Sequence, residues 1–115
     1  LLGAVFLLAA AVNVTGDWEL VIKTKKAEKK ADFNFVQDGE KLTATMKREK
    51  GKGLKGEGTV KGNNIEWTLT RKNKKGTAIF KYTGIIDGDI MKGELVIERD
   101  KKKSPPRQWS GTKKK

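Results

Sequence analysis

The stretch at residues 80–95, FKYTGIIDGDIMKGEL, limits the possible folds of this chain more than any other. It reads as two strands joined by a two-residue Asp87-Gly88 turn, because a type I′ hairpin turn needs positive φ at both central positions and Asp-Gly tolerates it. A tip at 87–88 sets a register in which Gly84 faces Met91, Tyr82 faces Gly93 and Phe80 faces Leu95. On the opposite side Ile85 faces Ile90, Thr83 faces Lys92 and Lys81 faces Glu94. One face is then apolar, with glycines across from large residues. The other carries an opposite-charge pair of the kind that stabilises a sheet.

The same pattern recurs twice upstream. A turn at Asp38-Gly39 predicts pairs Phe35–Leu42, Phe33–Ala44 and Ala31–Met46. A turn at Gly62-Asn63 predicts Val60–Ile65, Gly58–Trp67 and Gly56–Leu69. Glycine opposite a bulky residue is how a small barrel fits large side chains into a narrow interior.

Further strands follow from period-two alternation. Trp18, Leu20 and Ile22 alternate with Glu19, Val21 and Lys23 in the first, and Trp109 and Gly111 mark the last. From Thr15 onward no segment has a helical period. Eight short strands in chain order, mostly joined by tight turns, predict an all-β fold: an eight-stranded antiparallel up-and-down meander. Closure into a barrel removes the exposed edges; a β-sandwich is the open alternative. A length of 115 residues makes one domain, drawn as a barrel over 15–115 behind an apolar N-terminal segment over 1–14.

That segment opens with LLGAVFLLAAAV, which is too short to span a membrane, since a spanning helix takes about 20 residues. Its length fits the apolar region of a secretory signal, and Ala9-Ala10-Ala11 provides small residues for cleavage. The expected location is therefore outside the cytoplasm: periplasmic, cell-surface or extracellular. The alternative is an assembly element, with Leu1, Leu2, Val5, Phe6, Leu7 and Leu8 packed against a neighbouring subunit of a filament or oligomer. Ile79, Ile85, Ile90 and Val96, on the outward register of the central hairpin, would form the receiving surface. Asn13-Val14-Thr15 reads as linker.

Gly16-x-Trp18, QDGEKLTATM at 37–46, YTGIIDGDIMKGEL at 82–95 and the closing Trp109-Ser110-Gly111-Thr112-Lys113 together resemble the small β-barrel modules of exported bacterial proteins. More distantly they resemble the calycin superfamily of lipocalin- and avidin-like barrels, with its early Gly-x-Trp and its late Trp plus basic residue. The resemblance spans most of residues 16–113. It implies an eight-stranded barrel and no particular ligand.

The chain has no histidine and no cysteine, which excludes Ser-His-Asp and Cys-His catalysis, His-ligated metals and disulfides. Its carboxylates fall mainly at turns or beside lysines. Gly51-x-Gly53 and Gly56-x-Gly58 lack the following helix that a phosphate loop requires. The reading is a non-enzyme, with no catalytic residue, metal or cofactor.

Charge supplies the functional clue. Lys+Arg number 26 against 14 Asp+Glu, a net charge of +12, which attracts polyanions. A meander sends alternate connections to opposite ends. One end receives three short turns with Asp38, Glu40, Asp87 and Asp89 nearby. The other receives 25–30, 49–53, 73–76 and 100–106, and gathers Lys25, Lys26, Lys29, Lys30, Arg48, Lys50, Lys52, Lys72, Lys74, Lys75, Lys101, Lys102, Lys103 and Arg107, with Arg71 on the inward register close by. This predicts an end that engages anionic polymers or surfaces. The aromatics Trp18, Phe33, Phe35, Trp67, Phe80 and Trp109 fall on inward registers, so sequence-specific nucleic-acid binding is not expected; non-specific phosphate contact is a further alternative.

Overall fold

Alternation of apolar and polar residues becomes alternation of inside and outside in a closed antiparallel barrel. The computed structural model describes residues 12–47, 53–100 and 102–114. Its strands are β1 (Gly16–Lys23), β2 (Glu28–Asp38), β3 (Lys41–Met46), β4 (Leu54–Lys61), β5 (Asn64–Asn73), β6 (Gly76–Asp87), β7 (Ile90–Arg99), β8 (Lys102–Lys103) and β9 (Arg107–Lys113). Each of β1 to β7 pairs with the next in sequence, β7 pairs with β9, and β9 pairs with β1 to close an eight-stranded meander. The two-residue β8 is an addition. It folds back on the end of β7, pairing Arg99 with Lys102, inside a stretch that reads from sequence as plain connection.

The Gly62-Asn63 tip holds as expected, with Val60 opposite Ile65 and Gly58 opposite Trp67. The other two tips are corrected by one residue. They lie at 39–40 and 88–89 rather than 38–39 and 87–88, and the pairing slides by two. Phe33 faces Met46 and Phe35 faces Ala44; Tyr82 faces Leu95, Gly84 faces Gly93 and Ile86 faces Met91. The cause is the turn type. Gly39, Gly62 and Gly88 have φ of 64°, 58° and 63°, and Asp100 is the one described non-glycine residue with positive φ. Positive φ at the first loop position alone is the type II′ pattern, with glycine leading. A slide of two leaves every side chain on its expected face, whereas a slide of one would have inverted them.

The interior is filled by rings. Trp18, Phe33, Phe35, Trp67, Tyr82 and Trp109 are buried with Leu20, Leu42, Ile65, Leu69, Met91 and Leu95. Phe33 and Phe35 meet the Trp67 ring edge-on at 5.5 and 4.9 Å, and Trp109 meets it at 5.4 Å.

Residues 12–15, expected in part as linker, instead plug the short-turn end. Val14 is buried in the core and Val12 packs against it. The Gln37 side chain fixes them: its Oε1 accepts from Val14 N at 2.9 Å and its Nε2 donates to Val12 O at 2.8 Å. Trp18 Nε1 donates to Val14 O at 2.9 Å. The N-terminal segment drawn over 1–14 and the barrel drawn from 15 thus share Val12 and Val14. At the β1–β9 seam Trp18 pairs with Lys113, and a Cβ on Gly16 would lie 3.1 Å from Lys113 Cε. The early Gly-x-Trp and the late basic residue therefore meet where the barrel closes.

Candidate functional site

The β1–β2 loop, the β5–β6 turn at 74–75 and the hairpin after β7 leave the same end of the barrel, opposite the glycine-led turns and the Val14 plug. Lys25, Lys26, Lys29, Lys30, Lys72, Lys74 and Lys102 are exposed there. Among the described residues none of these seven has an ion-pair partner. Lys103 lies 3.9 Å from Glu98, which Lys81 already holds at 3.0 Å. Lys75 is exposed on the same turn. Arg48, Lys50, Lys52 and Lys101 lie outside the described residues, as do Leu1, Leu2, Val5, Phe6, Leu7 and Leu8.

Compensated charge lies on the outer wall instead. Asp17 accepts from Asn34 at 3.0 Å and from Lys47 at 3.2 Å, and these contacts, the Asn34 hydrogen bond foremost, hold its carboxyl below the usual range. Lys114 meets Asp32 at 2.8 Å, which raises the ammonium's pKa.

The arginines are placed differently from the lysines. Arg71 continues the inward register of Ile65, Trp67 and Leu69 on β5. Arg99 continues that of Leu95 and Ile97 on β7. Arg107 precedes Trp109 on β9. All three therefore stand on the inward register at the rim of the basic mouth, with Arg71 and Arg107 half-buried and Arg99 exposed. Arg71 pairs with Ala78, and Ala78 pairs with Arg99 on its other side. Arg99 was not among the residues expected from sequence, although its parity with Leu95 and Ile97 marks it.

Two depressions share Arg99. One, of about 210 Å³, is lined by Arg71, Lys75, Gly76, Thr77, Ala78, Arg99 and Asp100. The other, of about 310 Å³, is lined by Ile97, Arg99, Lys102, Lys103, Ser104 and Arg107. The Arg71 guanidinium carbon sits 5.4 Å from the Phe80 ring centroid. Its Nε is buried without a hydrogen-bond partner among the described residues.

On the outer wall Ile85 and Ile90 are 60% and 48% exposed, while Ile79 and Val96 are half-buried. The register divides these four. Ile85 lies diagonal to Ile90, and Ile79 diagonal to Val96, with Lys81, Thr83, Lys92 and Glu94 between the two couples. The aromatics expected to face inward do so: Trp18, Phe33, Phe35, Trp67 and Trp109 are buried and Phe80 packs against them.

Compared with known families, curated proteins and solved structures, the chain matches none.

Proposed function

We propose that this chain is a non-enzymatic β-barrel binding module whose basic end engages anionic polymers or surfaces. The observation that carries the reading is the set of seven exposed lysines at one end with no ion-pair partner among the described residues. Like charges gathered this way repel one another, and a polyanion relieves that repulsion while releasing its own counterions. Burial of the aromatics favours backbone contact over base stacking, so recognition is of charge rather than sequence. The apolar run at 1–12 supports export, and the meeting of Gly16, Trp18 and Lys113 supports a calycin-like kinship.

A second reading is self-assembly through the apolar N-terminal segment. It draws on exposed Ile85 and Ile90, which flank the glycine-led turn at the same end of the barrel as the Val12–Gln37 contact.

Titration against a DNA duplex used as a generic polyanion tests the first reading. Lys25→Glu/Lys74→Glu/Lys102→Glu is expected to flatten the plot of log affinity against log salt by roughly three, at about 0.9 per lost phosphate contact. Lys41→Glu/Lys61→Glu/Lys92→Glu makes the same change in net charge away from the basic end, and is expected to leave the slope nearly unchanged. Equal losses from both sets would mean that net charge alone binds, and that the basic end has no special role.

A further inference from the structure

We propose that the depression between Arg71 and Arg99 is a site for one tetrahedral oxyanion, a phosphate or sulfate group, free or carried as an ester. The inference rests on the anionic-polymer reading and names the chemical group the basic end would hold most tightly.

Arg71 motivates it. A guanidinium stays charged and presents five donors. Among the described residues the Arg71 guanidinium has no hydrogen-bond or ion-pair partner, and its Nε is buried. A buried donor left unsatisfied is destabilising, and more so when it belongs to a charged group. Phe80 holds the guanidinium by its face, which leaves the edge with its donors for a ligand. The Asp100 carboxylate lines the same depression, yet it lies beyond 4.0 Å of the nitrogens of both Arg71 and Arg99. The obvious internal counter-ion is thus out of contact.

The backbone explains why these groups converge. Arg71, Ala78 and Arg99 form one row across β5, β6 and β7. Neighbouring strands lie about 4.8 Å apart, so the two arginines rise from the sheet roughly 10 Å from each other, on the same face. Only the methyl of Ala78 stands between them. Two arginine forks supply more positive charge than a single carboxylate neutralises, and fork geometry suits oxyanions. A depression of about 210 Å³ falls below the ~300–1,000 Å³ usual for whole small-molecule sites, which suits one charged group rather than an extended ligand. Asp100, at φ 50° with its Oδ1 beside Gly76, adds an acceptor at the rim. A hydroxyl next to the anion would use that acceptor, and a bare ion would not.

The test is the arginine Nε–Hε NMR spectrum of the full chain. It is titrated with inorganic phosphate, sulfate and glucose 6-phosphate at constant ionic strength, with chloride as the control. The Arg71 signal, assigned by its loss in Arg71→Lys, is expected to shift saturably with phosphate and not with chloride. Arg71→Lys, read on the remaining signals, and Arg99→Gln are each expected to weaken phosphate binding about tenfold or more, since a charged hydrogen bond contributes about 1.5–3 kcal/mol. Tighter binding of glucose 6-phosphate than of phosphate assigns an ester to the site; equal binding assigns the free ion. No saturable shift of Arg71, or phosphate binding unchanged in Arg71→Lys, overturns the proposal. If duplex binding persists in that case, the anionic-polymer reading stands without this site. If duplex binding fails while the Arg71 shift remains, the polymer reading falls and the oxyanion site stands.

Discussion

Tyr82 lies flat against Trp67, with ring centroids 4.7 Å apart and planes 7° from parallel. The two residues are direct partners across β5 and β6, so the stack is built into the strand register. Phe33 and Trp109 meet the Tyr82 ring edge-on at 5.5 and 6.2 Å, in the geometries that aromatic quadrupoles favour. Trp67 Nε1 is buried with no acceptor among the described residues, so packing rather than hydrogen bonding holds this indole.

Burial pushes the Tyr82 phenol up to about 12 from an ordinary value of 10.0. The folded state therefore keeps the proton after the unfolded state has lost it. The resulting stabilisation is fully present below pH 10 and is lost as pH rises from 10 to 12, about 3 kcal/mol in all at ~1.4 kcal/mol per pH unit. Tyr82 is the only tyrosine, so tyrosinate absorbance reports on it alone. Its titration is expected near pH 12, together with loss of native tryptophan fluorescence. A midpoint near 10 with native fluorescence intact would contradict the buried stack.

Gly58 allows β4 to approach β5. A Cβ there would fall 1.8 Å from Glu66 O and 2.6 Å from Trp67 Cα, so Gly58→Ala has to push the strands apart. Overpacking of this kind is expected to cost about 2 kcal/mol or more. Gly39→Ala is the contrast. Nothing lies within 4 Å of its Cβ position and only its φ of 64° is at stake, which costs about 1 kcal/mol. Guanidinium unfolding midpoints of the two variants should rank in that order.

Gln37 ties the N-terminal plug to the barrel through Val12 O and Val14 N, and its Nε2 also donates to Gly39 O at 3.0 Å. Gln37→Ala leaves these groups without their partner and is expected to cost about 1–3 kcal/mol. Hydrogen exchange should rise first at the Val14 amide and the Trp18 indole, while the β5–β6 amides keep their protection. Uniform exchange across the barrel would mean that the plug is not a separate unit.

The faces of the sheet were legible because burial writes them into sequence with period two. The turn tips were less so. Asp38-Gly39 and Asp87-Gly88 look like type I′ turns, but the chain places glycine first each time, as Gly62-Asn63 already indicates. One glycine-first rule covers all three turns and sets the register of each hairpin. Gln37 was the signal for the plug: an amide on the same inward register as Phe33 and Phe35 needs partners, and residues 12–14 supply them. The basic end was visible as a charge pattern in the loops. The unpaired state of Arg71 was not visible, because it depends on where Phe80 and Asp100 lie in space.

The most direct test of the central claim is lysine acetylation, read by mass spectrometry, with and without polyphosphate. The account predicts protection of Lys25, Lys26, Lys74 and Lys102 at the basic end, with Lys41, Lys61 and Lys92 modified at unchanged rates. Equal protection of both groups, or protection of the second alone, would contradict a polyanion-binding role for this end of the barrel.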